Sequence, residues 1–273
     1  MKLPIPCITV PADYPAGILH VHRFLFILLC SFLTAINLHA ASPADLKAEA
    51  DSAYAKEHFA QAAAIYRQLT DSIGESPQIY YNLANCYYRQ DSIAQAILYY
   101  ERALLLDPSF DDARFNLDIA RAKTVDKVVP ASEMFFVKLF HSIVLSLSIN
   151  RWAQIAIAAF LLALIALFLY FFLPSIAAKK TAFICAVALI LVTAFANIAA
   201  FQQRAHINNR TGAIIMAPSV VVKSTPSPSG TDLFILHQGT HVQISDNTMK
   251  EYVEVRLTDG KQGWIPRTQI EII

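Results

Sequence analysis

The chain has 273 residues, 55% of them hydrophobic and only 16% charged, whereas a soluble domain usually carries roughly a quarter charged residues, so the composition leans toward a membrane protein. A net charge of +1, from 22 Lys and Arg against 21 Asp and Glu, gives no electrostatic basis for nucleic-acid binding. Seven glycines and 13 prolines exclude a collagen-like or low-complexity chain.

Residues 1–40 read as a secretory signal peptide. The apolar run Phe24–Ile36 follows Arg23 and precedes Leu38-His39-Ala40, with cleavage expected after Ala40. At 13 residues the run is short for a bilayer span, which needs about 20. The leader before it is long and contains Pro4, Pro11 and Pro15, as a mis-assigned start codon would produce. Leu29, before Cys30, is not small, which disfavours lipidation.

Residues 42–127 repeat with a period of 34: Ala50 and Ala84, Phe59 and Ile93, Ala62 and Ala96, Tyr66 and Tyr100. Small residues at that spacing let antiparallel helices approach closely, and tyrosines fill the gaps. The second unit carries Tyr80, Leu83, Ala84, Tyr87, Ala96, Tyr100, Ala103 and Pro108, and on these residues the segment resembles tetratricopeptide repeats. The first unit is weaker, with Glu49 at an apolar position, and residues 110–123 read as a capping helix.

In that family the first helix of each unit lines a concave groove for partner segments. The matching positions are Lys47, Asp51, Tyr54, Tyr81, Asn85, Tyr88, Arg89, Phe115 and Lys123. Asn85 and Asn116 fall where some members clamp a partner's C-terminal carboxylate, but the basic residues of that clamp are absent, Tyr81 standing in one such place. A mixed aromatic and polar groove for a peptide or helix is expected. Residues 42–130 hold nine basic and 13 acidic residues, a net −4 that disfavours anionic lipid or nucleic acid as a direct partner of this segment.

Residues 133–149 are apolar at helical spacing but contain Lys138 and His141, as an interfacial helix or a linker helix packed on the globular domain would. Residues 152–173 and 181–201 are uncharged and long enough to cross a bilayer, and the seven residues between them force a hairpin. An exported N-terminus places residues 41–151 outside the cytoplasmic membrane and Lys179 and Lys180 inside. The opposite flanks carry Lys138, Arg151, Arg204 and Arg210, a count that points the other way; the signal acts first and is given the greater weight. Spans without charge argue against an ion or proton path.

Residues 211–273 change to period two. Short runs at 213–216, 219–223, 233–236, 242–245, 252–257 and 263–265 are separated by turn residues, with Asp259-Gly260 a hairpin signal. The segments VVVKSTPSPSG, LHQGTHVQI and EYVEVRLTDGKQGWIP resemble bacterial SH3 domains. The resemblance implies a small all-β barrel with Trp264 in the core or at the rim, where a ligand could stack.

Catalytic signatures do not emerge. Cys7 and Cys30 lie in the leader and Cys185 in a span, leaving Cys86 alone in the repeats, with no C-x-x-C. P-loop, G-x-S-x-G and H-E-x-x-H motifs are lacking. His237 and His241 flank Gly239 in a strand–turn region and read as surface histidines rather than metal ligands. No enzyme activity, cofactor or metal is expected.

The order of modules, with IYYNLANCYYRQDSIAQAILYYERALLLDPSF and the tail IIMAPSVVVKSTPSPSGTDLFILHQGTHVQI…GWIP, resembles BatE-type membrane proteins of the Bacteroides aerotolerance cluster. That resemblance implies envelope-protein partners, some with von Willebrand-type domains, and a role in oxygen tolerance or envelope stress. The expectation is a multidomain protein of the bacterial inner membrane. It combines a helical tetratricopeptide array, a two-helix transmembrane hairpin and an SH3-like barrel, with both globular parts on the periplasmic side. It would act as a scaffold for other proteins. The alternative is an accessory subunit docking a wall-active enzyme to cell-wall peptides.

Overall fold

A computed structural model describes residues 42–127 and 134–273; the expected signal peptide lies outside the described residues. The described residues open with five antiparallel helices: α1 (Pro43–Ala55), α2 (Phe59–Ile73), α3 (Pro77–Arg89), α4 (Ile93–Leu106) and α5 (Asp111–Ala122). The alanines that repeat every 34 residues sit where helices cross: Ala50, Ala62, Ala84 and Ala96 are all fully buried. The turn inside each repeat recurs too, through Glu57 and Asp91, both in the left-handed region at φ 61° and 58°. α3 starts cleanly because Pro77, pre-set to helical φ, follows the extended Ser76. α5 has no following partner helix in the array: the next described helix begins at Phe135.

Three further helices follow: α6 (Phe135–Val144), α7 (Ile149–Phe172) and α8 (Ile176–Asn208). α7 and α8 are long and apolar enough to cross a membrane. Their packing is the inverse of a water-soluble core. Ala156, Ala159 and Ala163 of α7 and Ala186, Ala196 and Ala199 of α8 are buried, while Phe160, Leu164, Phe168, Ile184 and Leu191 face outward. Small residues at the crossing and large apolar ones outside suit a hydrocarbon solvent. α8 is longer than the sequence expectation at both ends. Ser175, after Pro174, starts the helix just past the end of α7, so Lys179 and Lys180 lie inside α8 rather than in a seven-residue loop. The Gln- and Ala-rich stretch after Phe201 prolongs it to Asn208 because nothing there breaks a helix.

α6 leaves Phe135 and Phe136 exposed and seats its last residue, Val144, against the hairpin. Trp152 Nε1 donates to the Val144 carbonyl at 3.0 Å. Gln203 Nε2 donates to the Val144 and Leu147 carbonyls, both at 2.6 Å. These three bonds fix the corner between α6 and α7 against the C-terminal part of α8. α6 is therefore anchored on the hairpin, through its C-terminal end.

Seven strands complete the chain: β1 (Gly212–Ile215), β2 (Ser219–Lys223), β3 (Asp232–His237), β4 (His241–Asp246), β5 (Tyr252–Arg256), β6 (Gln262–Pro266) and β7 (Ile270–Ile272). They form one antiparallel sheet in the order β3-β2-β6-β5-β4-β1-β7. The period-two pattern sends Val220, Val222, Val242, Ile244, Val253, Val255 and Ile265 to one core. The sheet is open, which departs from the expected closed barrel. Its edge strands β3 and β7 do not pair, and β2 meets β6 through one residue pair, Lys223 with Trp264. Alternation fixes which face each strand buries, not whether the ladder closes. β7, absent from the sequence reading, follows a helical turn at Arg267–Gln269.

Residues 43–273 form a single compact unit, and the sheet packs directly on the helical repeats. Ile214 and Ile273 are buried in the same apolar cluster as Ile97, Tyr100 and Leu117. Arg102 Nη2 donates to the Ile272 carbonyl at 2.6 Å and to Glu271 at 3.1 Å. Arg210, just after α8, makes a two-pronged ion pair with Glu75. Asp126, in the segment after α5, accepts from the His237 amide at 2.7 Å and the Thr240 hydroxyl at 2.7 Å, and its other oxygen lies 2.8 Å from His237 Nδ1. His237 is therefore an interface residue, not the surface histidine expected from its position beside a turn.

Candidate functional site

The sheet docks on α4 and on the segment after α5, so the opposite face of the array, built from α1, α3 and α5, stays open. Side chains on that face are organised by the 34-residue period. Tyr66 in α2 donates its hydroxyl to Asp51 of α1 at 2.5 Å, and Asn82 of α3 donates to the Tyr66 oxygen at 3.3 Å. One repeat on, Tyr100 in α4 donates to Asn85 of α3 at 2.5 Å, and Asn116 of α5 donates to Asn85 at 3.0 Å. Asp51 and Asn85, Tyr66 and Tyr100, Asn82 and Asn116 are each 34 positions apart. The floor of the groove is thus one polar unit built twice.

The two copies differ in what they leave over. Asp51 is an acceptor only and is also bound by Lys47 at 2.6 Å. Burial works to raise its pKa, but the hydrogen bonds from Lys47 and Tyr66 outweigh it and hold the carboxyl below its usual range. Asn85 spends its Oδ1 on Tyr100 and Asn116, which leaves its Nδ2 without an intramolecular acceptor among the described residues. Burial drives the Tyr66 and Tyr100 phenols far above their ordinary value, so both stay protonated donors.

Tyr54, Asn85, Tyr88, Arg89, Asn116 and Ile119 surround a depression of about 190 Å³ together with Tyr100. A neighbouring one of about 150 Å³ lies over Asp51, Tyr66 and Asn82 and shares Tyr54 and Asn85 with it. The two form consecutive subsites separated by one repeat. Lys123 Nζ lies 4.4 Å from the Tyr88 ring centre and the Arg89 guanidinium 4.8 Å from that of Phe59, so cations border the aromatic wall.

Of the residues named from sequence, Tyr54, Asn85, Tyr88, Arg89 and Asn116 meet around one subsite. Lys47 sits to one side, paired with Asp51. Tyr81 lies beneath the groove, its ring 4.9 Å from Phe110, and its oxygen accepts from Asn116 at 3.3 Å. Trp264 is elsewhere, half-buried on β6 opposite Lys223 and Glu254. Tyr66, Asn82, Tyr100 and Ile119 were missed as site residues. The same 34-residue spacing identifies the first two, since each stands one repeat before a named residue or its partner. No group of His, Cys, Asp and Glu among the described residues could hold a metal ion.

A family model described as tetratricopeptide repeat matches residues 77–110, the stretch that contains α3 and α4. Such repeats are interaction modules that bind other proteins. Comparison with curated proteins gives no match.

Proposed function

We propose that the chain is a membrane-anchored scaffold that holds a partner protein in the groove of its helical repeats. The observation that carries this reading is the duplicated polar floor, which leaves the Asn85 amide donors without an acceptor among the described residues, beside Tyr54, Tyr88 and Arg89. An amide donor between aromatic walls suits the backbone carbonyls of a partner segment. The two apolar helices serve as the anchor. In the finer reading, the anchor sits in a bacterial inner membrane with both globular parts outside, and the partners are envelope proteins of an aerotolerance or envelope-stress complex. The C-terminal sheet is read as an SH3-like module. Supporting that reading are the pairing of β1 with both β4 and β7, the β4–β5–β6 meander and the helical turn before β7.

Asn85→Asp tests the groove without disturbing the fold. Aspartate keeps the acceptor for Tyr100 and Asn116, as Asp51 accepts from Tyr66 one repeat earlier, but removes the free donor. Affinity capture from mild detergent is expected to recover a defined partner with the wild type, and to recover it at least tenfold less well with Asn85→Asp at equal melting temperature. Undiminished capture by both Asn85→Asp and a Tyr54→Ala/Tyr88→Ala variant would sink the groove as the partner site.

A further inference from the structure

A cavity of about 400 Å³ opens where α4, the end of α8 and the sheet meet, away from the groove. Three arginines, Arg114, Arg210 and Arg256, face the single acid Glu101 on its polar wall, beside His206 and a His241 whose pKa burial pushes down. Glu101 is already bonded to Arg121, and Arg210 to Glu75. Arg114 and Arg256 have no acidic partner among the described residues. Arg114 donates to the Pro108 carbonyl, and Arg256 to the Gln262 amide oxygen at 3.1 Å. The cavity therefore presents a local uncompensated positive charge from Arg114 and Arg256, even though residues 42–130 taken together carry a net −4 that disfavours anionic lipid elsewhere on the repeats.

A second cavity, of about 450 Å³, shares Leu145, Gln203, His206 and Thr211 with the first and runs on past Val144 to Phe201. Phe201 is the last apolar residue of α8 before Gln202, Gln203 and Arg204. The seven residues from 202 to 208 rise about 10 Å beyond it, a depth comparable to the polar headgroup layer of a bilayer. One end of the combined space is thus cationic and lies between the repeats and the sheet. Its other end is apolar and lies at the surface of the membrane helix.

We propose that this space binds an anionic phospholipid, with its phosphate against Arg114 and Arg256 and its acyl chains leaving past Leu145 and Phe201. Two guanidiniums provide the fork geometry that phosphate oxygens accept. A free phosphate offers the same head chemistry; the apolar continuation toward Phe201 favours the lipid source. Gly212 helps shape the wall, since a Cβ there would lie 2.9 Å from Ile273 Cδ1 and 3.3 Å from His241 Nε2. The site is distinct from the partner groove, and it rests on α7 and α8 spanning a bilayer.

The test uses the full chain in neutral detergent, offered phosphatidylglycerol or phosphatidylcholine, with retained lipid counted by native mass spectrometry. Wild type is expected to keep one phosphatidylglycerol in preference to phosphatidylcholine. The exposed pair Arg114→Gln/Arg256→Gln should weaken retention at least tenfold, with helicity and melting unchanged. Arg204→Gln, on the same helix end but outside both cavities, should retain lipid as wild type does. Equal retention of the two lipids, an equal loss in Arg204→Gln, or inorganic phosphate alone raising the melting temperature as much as lipid would each overturn the proposal. Flotation with vesicles of neither lipid would overturn the spanning reading as well; flotation with both and no headgroup preference would overturn this proposal alone.

Discussion

Asp126 and His237 are 111 positions apart, on opposite sides of both long apolar helices, yet their side chains meet at 2.8 Å. A hairpin of two spans returns the chain to the side it left, so this contact and a spanning pair are mutually consistent whichever face of the membrane is involved. The relationship also makes the repeats and the sheet one body rather than two modules on a flexible tether.

Removing the Asp126 carboxylate should open that interface locally. Asp126→Ala takes the acceptor from the His237 amide and the Thr240 hydroxyl, and a charge-assisted bond to a partly buried group contributes about 1.5–3 kcal/mol. The His237 amide is expected to exchange with deuterium at least tenfold faster, while amides of α2 and α3 keep their protection. Unchanged exchange at His237 would mean that the apolar cluster around Ile214 and Ile273 holds the interface without it.

The same carboxylate sets a pH dependence. Burial works to raise the Asp126 pKa, but donation from the His237 amide, Thr240 and the His237 ring outweighs it and holds the group below its usual range. Glu75 is lowered chiefly by its hydrogen bond from Arg210. A carboxylate whose folded pKa lies below the unfolded value contributes stability that is complete above the unfolded pKa, about 4, and is lost as pH falls through the folded value. The melting-temperature gap between wild type and Asp126→Asn should therefore shrink as pH falls below about 4. A gap that stayed unchanged or grew below about pH 4 would contradict the assignment.

Much of the helical array was legible because its physics is periodic. Ala62 and Ala96, or Tyr66 and Tyr100, meet identical neighbours one repeat apart and so keep the same residue. Asp51 and Asn85 obey that spacing with different side chains, which hides the duplicated floor from any search for identity. The docking of the sheet was not legible. Asp126 and His237 belong to no repeat, and a histidine beside a turn is exposed unless something far along the chain covers it. α8 outran its apolar window because Gln, Arg and Ala extend a helix as readily as they face water. Open and closed sheets share the same alternation, so closure was beyond the pattern.

The two described cysteines differ in burial, and the difference tests whether α8 spans a bilayer. Cys86 is fully buried and its thiol is pushed up to about 12 by burial. Cys185 faces outward from α8. In vesicles, with Cys7 and Cys30 replaced by serine, a charged water-soluble thiol reagent is expected to modify neither below pH 9. Urea should release Cys86. Rapid labelling of Cys185 in intact vesicles would place that face of α8 in water and refute the span.

Gly239 joins the turn chemistry to the interface. Its φ of 83° is one an L side chain adopts only under strain, and a Cβ would sit 2.8 Å from Thr124 Cγ2 and 3.1 Å from Ile97 Cδ1. Gly239→Ala should therefore cost about 1–2 kcal/mol for the backbone alone, plus the cost of displacing Thr124. The two parts can be separated. Thr124→Ser deletes the methyl but keeps the hydroxyl that donates to the Arg121 carbonyl at 2.8 Å and the Asp126 carbonyl at 3.3 Å. In urea melts, the double variant should recover the steric share of the loss and keep the conformational share, giving a coupling between the two sites. Strict additivity would mean that the turn moves away from α4 and that contact with Thr124 does not position it.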